Sequence, residues 1–184
     1  MQTLIEQLSD RPILLDGGMG QELINRGASG QGVLWSAKAL FDQPEAVQAV
    51  HEDYLRAGAD VVTVNSYSCI RNNFEPLGLE DRLGEMNRLA VELTLRAREA
   101  VRGDAYIAGS LGPQRGSYRP DLVGSFEETE ALYLEQVEFL YSDVDFFICE
   151  TMSCILEARA AATAALSTGK PVWLSFSVDD SGKP

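Results

Sequence analysis

The stretch Val144-Asp-Phe-Phe-Ile-Cys-Glu-Thr151 begins as an apolar run and ends in polar residues. An apolar run without alternating polar residues is typical of a strand that is covered on both faces, as in a parallel sheet. Segments with helical periodicity separate such runs, so the chain is predicted to alternate parallel strands with right-handed helical crossovers. Four further runs share this character: Pro12-Ile-Leu-Leu15, Asp60-Val-Val-Thr-Val64, Ala105-Tyr-Ile-Ala108 and Pro171-Val-Trp-Leu-Ser-Phe176.

Four helices are predicted between the five strands, and one more precedes them. The first crossover helix begins at Pro44 within a capping-box-like pattern, Asp42-Gln-Pro-Glu45. The second covers residues 80–102, and the third begins at the capping box Ser125-Phe-Glu-Glu128. The fourth is alanine-rich and covers residues 153–167. Together these elements predict a βαβαβαβαβ order.

Two α/β architectures fit this order, an open doubly wound sheet and a (β/α)8 barrel. A barrel takes site residues from the ends of many strands, whereas an open sheet concentrates its site at one switch point. Each predicted strand here ends in small or polar residues, which favours the barrel. The ends are Asp16-Gly-Gly18, Asn65-Ser-Tyr67, Gly109-Ser-Leu-Gly112, Glu150-Thr151, and Ser175 with Ser177.

The length of the chain limits how much of a barrel it can form. A (β/α)8 TIM barrel needs about 250 residues, and the chain has 184. We therefore expect a barrel truncated after about five parallel strands, as a single domain over residues 1–184 that is incomplete at its C-terminus. An open barrel exposes a strand edge and apolar surface, so self-association is also expected.

Composition disfavours several classes of partner and location. The chain carries 15 basic and 28 acidic side chains, a net charge of −13, which disfavours nucleic-acid binding. No apolar run approaches the roughly 20 residues of a membrane span, so no membrane association is expected, and the N-terminus lacks a signal-peptide pattern. Three cysteines fit no compact disulfide framework, which favours the reducing cytoplasm.

A glycine-rich turn, Asp16-Gly-Gly-Met-Gly-Gln-Glu-Leu23, carries the most informative chemistry. A dinucleotide site would need a third glycine where Leu23 stands, and Asp16 would repel a phosphate. A zwitterion fits better, because glycine amides can hold a carboxylate while Asp16 and Glu150 hold an ammonium group. The two acids could instead form a general acid–base pair or bind a hard metal ion, and Asp16 alone could be a turn residue.

Five motifs follow one another along nearly the whole chain: Asp16-Gly-Gly-Met-Gly-Gln-Glu-Leu23, Leu34-Trp-Ser-Ala-Lys38, His51-Glu-Asp-Tyr-Leu-Arg-Ala-Gly-Ala-Asp60 with Thr63-Val-Asn-Ser-Tyr67, Ala108-Gly-Ser-Leu-Gly-Pro113 and Cys149-Glu-Thr-Met152. In this order and spacing they resemble the homocysteine S-methyltransferase family. Members of that family are (β/α)8 barrels that transfer a methyl group to homocysteine sulfur, giving methionine. The resemblance implies homocysteine or selenohomocysteine as acceptor and, from the Leu34–Lys38 motif, S-methylmethionine or S-adenosylmethionine as donor.

The resemblance also implies roles for individual residues. The backbone at Gly17 and Gly18 is expected to receive the homocysteine carboxylate, and Asp16 and Glu150 to hold its ammonium group. This agrees with the charge argument made from the turn alone. The catalytic residues expected near the sulfur and the methyl donor are Thr63, Asn65 and Tyr67.

The resemblance implies a zinc cofactor whose ligands this chain lacks. Family enzymes bind zinc through three cysteine thiolates, one after the sixth strand and two adjacent ones after the eighth. Cys149 and Cys154 are not substitutes, because one lies in a predicted strand and their spacing is a poor match to a zinc knuckle. We therefore expect no metal ligands in the chain and no catalysis by it alone. A non-catalytic amino-acid-binding or assembly protein is the alternative.

Overall fold

The computed structural model describes residues 4–28 and 32–178. In this part of the chain, four parallel strands form one sheet in the order β1-β2-β3-β4. Each strand lies beside its neighbour in sequence and is connected to it by helices. The strand order never reverses, as it does in a doubly wound sheet, and is that of a section of a (β/α)8 barrel. The strands are β1 (Val61–Thr63), β2 (Tyr106–Leu111), β3 (Phe146–Met152) and β4 (Val172–Phe176).

The first predicted strand is reduced to a single bridge between Leu15 and Val61. The Asp16 amide donates to the Val61 carbonyl at 3.0 Å, and the Leu14 carbonyl accepts from the Asp60 amide at 2.8 Å. The segment thus follows β1 in the parallel sense without forming a full ladder, since Pro12 has no amide hydrogen to donate. The expected five strands are therefore four strands and one bridged segment.

The helices pack against one face of the sheet. The crossover helices begin and end close to the residues expected from the sequence. The predicted capping box at Ser125 is present: the Glu128 amide donates to Ser125 Oγ and the Ser125 amide to Glu128 Oε2. The one expected at Asp42 is wrong, because the helix is preceded by Gln43 without a side-chain cap. The α-helices are α1 (Leu4–Asp10), α2 (Met19–Asn25), α3 (Lys38–Asp42), α4 (Pro44–Arg56), α5 (Arg71–Phe74), α6 (Leu83–Val101), α7 (Phe126–Leu140) and α8 (Ile155–Leu166). Short 3-10 helices cover Trp35–Ala37, Glu75–Leu77, Glu80–Arg82 and Pro120–Leu122.

The two faces of the sheet pack against different partners. Val62, Ile107 and Phe147 belong to the large core formed with the helices. Side chains one position away along the strands, such as Val61 and Phe146, form a second, smaller cluster on the opposite face, as the alternation of strand side chains requires. That inner face corresponds to the interior of a barrel. None of the helices within the described residues is both long enough and apolar enough to cross a membrane.

A buried carboxylate, that of Asp60, lies at the end of the sheet opposite to the polar strand ends. Asp60, 8 % exposed, accepts hydrogen bonds from Arg11 to both carboxylate oxygens, from Arg102 at 3.1 Å and from the Leu14 amide at 3.0 Å. The Arg11 guanidinium holds the pKa of this carboxyl well below its usual range. Gln7 also donates to the Tyr106 hydroxyl at 2.8 Å. These contacts connect α1 and the bridged segment to β1 and β2.

We expect Asp60→Asn to lower the free energy of unfolding by about 1–3 kcal/mol at pH 7, because two arginines lose a negatively charged partner and one of its two acceptor oxygens. A depressed pKa stabilises the fold above the unfolded-state value, about 3.9, and that contribution disappears at lower pH. The difference between Asp60→Asn and the parent should therefore shrink below pH 4. Denaturant titrations at several pH values measure it. Asp104→Asn is the control, since the Asp104 side chain is 70 % exposed; equal losses in both variants would contradict the assignment.

Candidate active site

Asp16 lies where the bridged segment reaches the carboxyl edge of the sheet. Its carboxylate accepts two hydrogen bonds from Thr63, one from the backbone amide to Oδ2 at 2.8 Å and one from the hydroxyl to Oδ1 at 2.9 Å. Thr63 is the last residue of β1. The two predicted site residues are therefore in direct contact. Thr63 fixes the direction of the carboxylate and supplies donors that favour its charged form.

Glu150 reaches the same edge from β3. The Ser110 hydroxyl of β2 donates to Glu150 Oε1 at 2.5 Å. The pairing of β3 with β4 is irregular between Cys149 and Met152, and Thr151 within that interval has a φ of 62°. A β-branched residue in this left-handed region is strained. The irregularity therefore follows Glu150 directly, at the position where a bulge can redirect a side chain.

Both carboxyl groups hold protons more tightly than free acids. Burial raises the pKa of Asp16 to about 6; the hydrogen bonds from Thr63 oppose this rise and the negative charge of Glu150 adds to it. Burial also raises the pKa of Glu150, and the hydrogen bond from Ser110 opposes that rise. Two partly desolvated acids that repel each other are stabilised by a cation placed between them. The edge of the sheet is thus suited to a positively charged group.

Tyr67 and Trp35 form an aromatic wall beside these acids. Their rings meet edge to face with centroids 6.3 Å apart. The Tyr67 hydroxyl lies 2.6 Å from Ser117 Oγ, on the loop that follows β2. Burial raises the pKa of the phenol, an effect that the hydroxyls of Ser117 and Thr151 oppose. The wall therefore consists of an indole and a neutral phenol at ordinary pH.

Asn65 has a different environment from the other predicted catalytic residues. Its side chain is buried, and its Nδ2 donates to the Ser36 carbonyl at 3.1 Å. Ser36 belongs to the 3-10 helix Trp35–Ala37. In the contact that the structure shows, Asn65 holds the segment that carries Trp35. Its expected place near the reacting sulfur stays a prediction.

The glycine-rich turn leads directly into α2. Gly17 and Gly18 are exposed at the edge of the sheet, and Gly18 is the N-cap residue of the helix. A Cβ on Gly17 would lie 2.7 Å from the Tyr54 hydroxyl oxygen, and one on Gly20 would collide with the Trp35 indole ring. Gly18 has space for a side chain, since its nearest neighbour would be 3.9 Å away. Gly17 and Gly20 are therefore required because aromatic side chains pack directly against their backbone, whereas Gly18 is not required for packing.

The cysteines do not form a metal centre. Within residues 4–28 and 32–178, no group of three or more His, Cys, Asp or Glu side chains could hold a metal ion. Cys69 and Cys149 are buried; burial raises the pKa of both thiols, for Cys149 to about 12. A structural zinc site needs about four ligands close together, and the cysteines of this part of the chain have no such set around them.

Sequence reasoning missed the two serines that hold the site residues. Ser110 and Ser117 were not singled out, although Ser110 lies within the motif Ala108-Gly-Ser-Leu-Gly-Pro113. A serine that ends a predicted buried strand was the available signal for Ser110. Nothing in the spacing signalled Ser117, because its partner Tyr67 is 50 residues away and both α6 and β2 lie between them.

Comparison with known proteins assigns the chain to a family. The profile of the homocysteine S-methyltransferase family matches residues 13–184. The chain belongs to the homocysteine S-methyltransferase family. Its sequence is 36 % identical over 186 residues to homocysteine S-methyltransferase of Escherichia coli (strain K12), covering 92 % of this chain and 59 % of that protein. Betaine–homocysteine S-methyltransferase 1 of Pongo abelii is 30 % identical over 187 residues, covering 97 % of this chain and 44 % of that protein.

A solved family member confirms the α/β fold with a parallel sheet, which is consistent with a truncated barrel. The homocysteine methyltransferase MmuM from Escherichia coli, in its metallated form, superposes with a TM-score of 0.87 at 35 % sequence identity. The match covers 98 % of this chain and 70 % of that chain. The chain thus spans about 59 % of the length of the Escherichia coli relative and of a second homocysteine S-methyltransferase, from Bacillus subtilis.

We expect Gly20→Ala to lower the free energy of unfolding by about 1–2 kcal/mol, because the collision with Trp35 outweighs the gain in helix propensity. The fluorescence of Trp35 should change with it. Gly18→Ala is the matched control, with space for the methyl group and an expected change within about 0.5 kcal/mol. Denaturant unfolding and emission spectra measure both effects. Equal stability of the two variants would contradict the packing role of Gly20.

Proposed function

We propose that the protein is a homocysteine S-methyltransferase whose described residues bind homocysteine. The observation that carries this proposal is the pair of carboxyl groups, Asp16 and Glu150, which reach the carboxyl edge of the sheet from the bridged segment and from β3 and interact electrostatically there. Family membership supplies the reaction class, and the acid pair explains how the amino-acid part of the substrate is held. The names of the Escherichia coli and Bacillus subtilis relatives agree with this substrate.

The ammonium group of homocysteine is the cation that best matches the acid pair. Asp16 is held by Thr63 and Glu150 by Ser110, so each carboxylate keeps its direction without the ligand. An ammonium group between them offsets both the burial and the repulsion by Glu150 that raise the pKa of Asp16. A single carboxylate would bind an amine less selectively. A general acid–base pair would also have raised pKa values, so the shifts do not decide between the two roles. The glycine turn beside the acids favours the zwitterion, because it offers a place for the substrate carboxylate.

The carboxylate of homocysteine is assigned to the glycine turn. Gly17 and Gly18 precede α2, whose first backbone amides have no partner within the helix. An anion at this position also gains from the helix dipole. Without side chains at these two positions, a carboxylate can approach the backbone. The zwitterion would then lie between Gly17 and Gly18 on one side and the two acids on the other.

Methyl transfer is assigned to the region beside the aromatic wall. The homocysteine sulfur attacks the methyl carbon of the donor, the donor's carbon–sulfur bond breaks, and the thiol proton is released. With S-methylmethionine this gives two methionines; S-adenosylmethionine is the other donor we consider. Tyr67 and Trp35 present aromatic surface that attracts a sulfonium cation. The residues that we propose near the reacting atoms are Thr63, Asn65 and Tyr67.

Zinc is the cofactor that the family resemblance implies, and one relative was solved in a metallated form. The described residues do not supply its ligands, so no step here depends on a metal. We propose that these 184 residues by themselves bind substrate without catalysis. The partners proposed are small molecules, homocysteine and a methyl donor, in a reducing cytoplasm where Cys69, Cys149 and Cys154 remain free.

The second function that we consider is binding of an amino acid without catalysis, for which the described residues need no zinc ligands. An amino-acid-binding protein without catalysis needs the acid pair and the glycine turn but no thiolates. Methyl transfer distinguishes the two functions, since both predict binding of homocysteine. The decisive assay uses the polypeptide as its source organism makes it.

We expect homocysteine binding to release protons at pH 6 and almost none at pH 8. Asp16, with a pKa of about 6, is about half protonated at pH 6, and an adjacent ammonium group lowers its pKa. Calorimetry at pH 6 in two buffers of different ionisation enthalpy measures the released fraction, expected near half a proton for this group. Asp16→Ala should abolish most of the binding heat. Unchanged heat in that variant would refute the assignment of Asp16.

We expect methionine to form when the source organism's polypeptide receives homocysteine, a sulfonium donor and zinc. The 184-residue chain should form none and should retain less than one zinc per molecule, because its described residues contain no group of three His, Cys, Asp or Glu side chains that could hold the ion. Chromatographic detection of methionine and metal analysis of the purified proteins measure the two outcomes. Transfer by the 184-residue chain would show that the site needs no thiolate ligands. Absence of transfer from every sulfonium donor by the native polypeptide, together with homocysteine binding, would favour the non-catalytic function.

A further inference from the structure

Ser110 has two hydrogen bonds that connect it to the site. It is 1 % exposed, and its hydroxyl donates to Glu150 Oε1 at 2.5 Å. Its backbone carbonyl accepts from Ser66 Oγ at 2.8 Å. Ser66 is also fully buried and lies next to Tyr67 in sequence. Ser110 therefore joins β2, the loop after β1 and the Glu150 carboxyl.

The register of the sheet determines this contact. Ser110 pairs with Ile148 on β3, and Glu150 follows two residues later on the same strand. Residues two apart on a strand face the same side, and Ile148 belongs to the inner cluster. The Ser110 hydroxyl thus lies on the inner side of the sheet, where Glu150 needs a donor. A shift of one residue would place the hydroxyl on the helix side.

A glutamate at this position needs an external constraint. Its side chain has three rotatable bonds, and its carboxyl is partly desolvated. The hydrogen bond from Ser110 restricts its rotamers and favours its charged form. Among the described hydrogen bonds, Ser110 is the one side-chain donor to Glu150.

We infer that Ser110 is a positioning residue for ammonium recognition, which directs the Glu150 carboxylate toward the amino group of the substrate. This rests on the proposed function and adds a residue to it. Ser110 acts at the amino end of the substrate and has no direct role at the sulfur. Its loss should therefore weaken the binding of homocysteine through the amino group and leave the binding of the rest of the substrate unchanged.

The titratable groups that face Glu150 are few. Asp16 interacts with it electrostatically from the turn before α2, and Tyr67 from the loop after β1. From β4, the neighbours of this part of β3 are Leu174 and Phe176, which carry no charge. Tyr67 stays neutral below its raised pKa. The pH dependence of binding in the acidic range therefore reflects Asp16 and Glu150.

The test compares Ser110→Ala with the parent protein by calorimetry with homocysteine between pH 5 and 8. Loss of a hydrogen bond to a charged group should weaken binding about tenfold at pH 7.5. Without this donor the Glu150 carboxyl is protonated at higher pH, so the loss of affinity on acidification should begin at higher pH than in the parent. A merely structural role of Ser110 would not move this pH profile.

Two controls separate the effect from general damage. The first is 4-mercaptobutanoate, which is homocysteine without its amino group; Ser110→Ala should bind it as the parent does. The second is Ser66→Ala, which removes an equally buried hydroxyl that contacts Ser110 but not Glu150. That variant should keep the parental pH profile. If Ser110→Ala does not fold, Ser110→Cys keeps the size with a weaker donor and should show the same changes to a smaller degree.

The outcomes distinguish this inference from the function on which it rests. Homocysteine binding that is equal in the parent and Ser110→Ala, with the same pH profile, would overturn the role of Ser110 and leave the proposed function standing. Equal losses for homocysteine and 4-mercaptobutanoate would also overturn it, since the effect would then not involve the amino group. No binding of homocysteine by the parent would overturn the proposed function and this inference together.

Discussion

Parallel pairing in chain order is the constraint on which the site depends. When each strand pairs with the next one along the chain, all carboxyl ends lie at one edge of the sheet. Thr63, Ser110 and Glu150 come from three successive strands and reach this edge together. Asp16 joins them because its backbone amide is bonded to Val61 at the start of β1. An antiparallel neighbour would have placed one of these groups at the opposite edge.

The site combines charge repulsion with a rigid framework. Burial raises the pKa values of both carboxyl groups. Their charged forms would destabilise the fold if no hydrogen-bond donors compensated them. Thr63 and Ser110 supply those donors from residues held by strand hydrogen bonds. At the opposite end of the sheet, Asp60 is compensated fully by two arginines. Asp60, whose charge is neutralised by arginines, has the environment of a structural residue. Asp16 and Glu150 have hydrogen-bond donors but no cation, which is the environment we expect of residues that bind one.

Sequence patterns predicted four of the five expected strands within the described residues. Continuous apolar runs identified β3 and β4, and the capping box at Ser125 identified the start of α7. The pattern failed for Pro12-Ile-Leu-Leu15, which looks like a strand but forms one bridge. The run is apolar, but Leu14 and Leu15 are 54 % and 44 % exposed. A strand also requires a partner along its length to accept its hydrogen bonds. The capping box at Asp42 failed because that residue ends α3, and its carboxylate pairs with Lys38 instead.

The sequence by itself determined the fold class, the family and the chemical types at the strand ends, because these depend on periodicity and local motifs. Asp16, Gly17, Gly18 and Glu150 could all be proposed as site residues from charge and backbone freedom alone. Only the tertiary structure decided how those residues are held. The contacts of Ser110 with Glu150 and of Tyr67 with Ser117 join segments 40 and 50 residues apart, and such pairs follow from sheet register and loop packing. No local pattern encodes them, since each side chain finds its partner only after the strands have aligned.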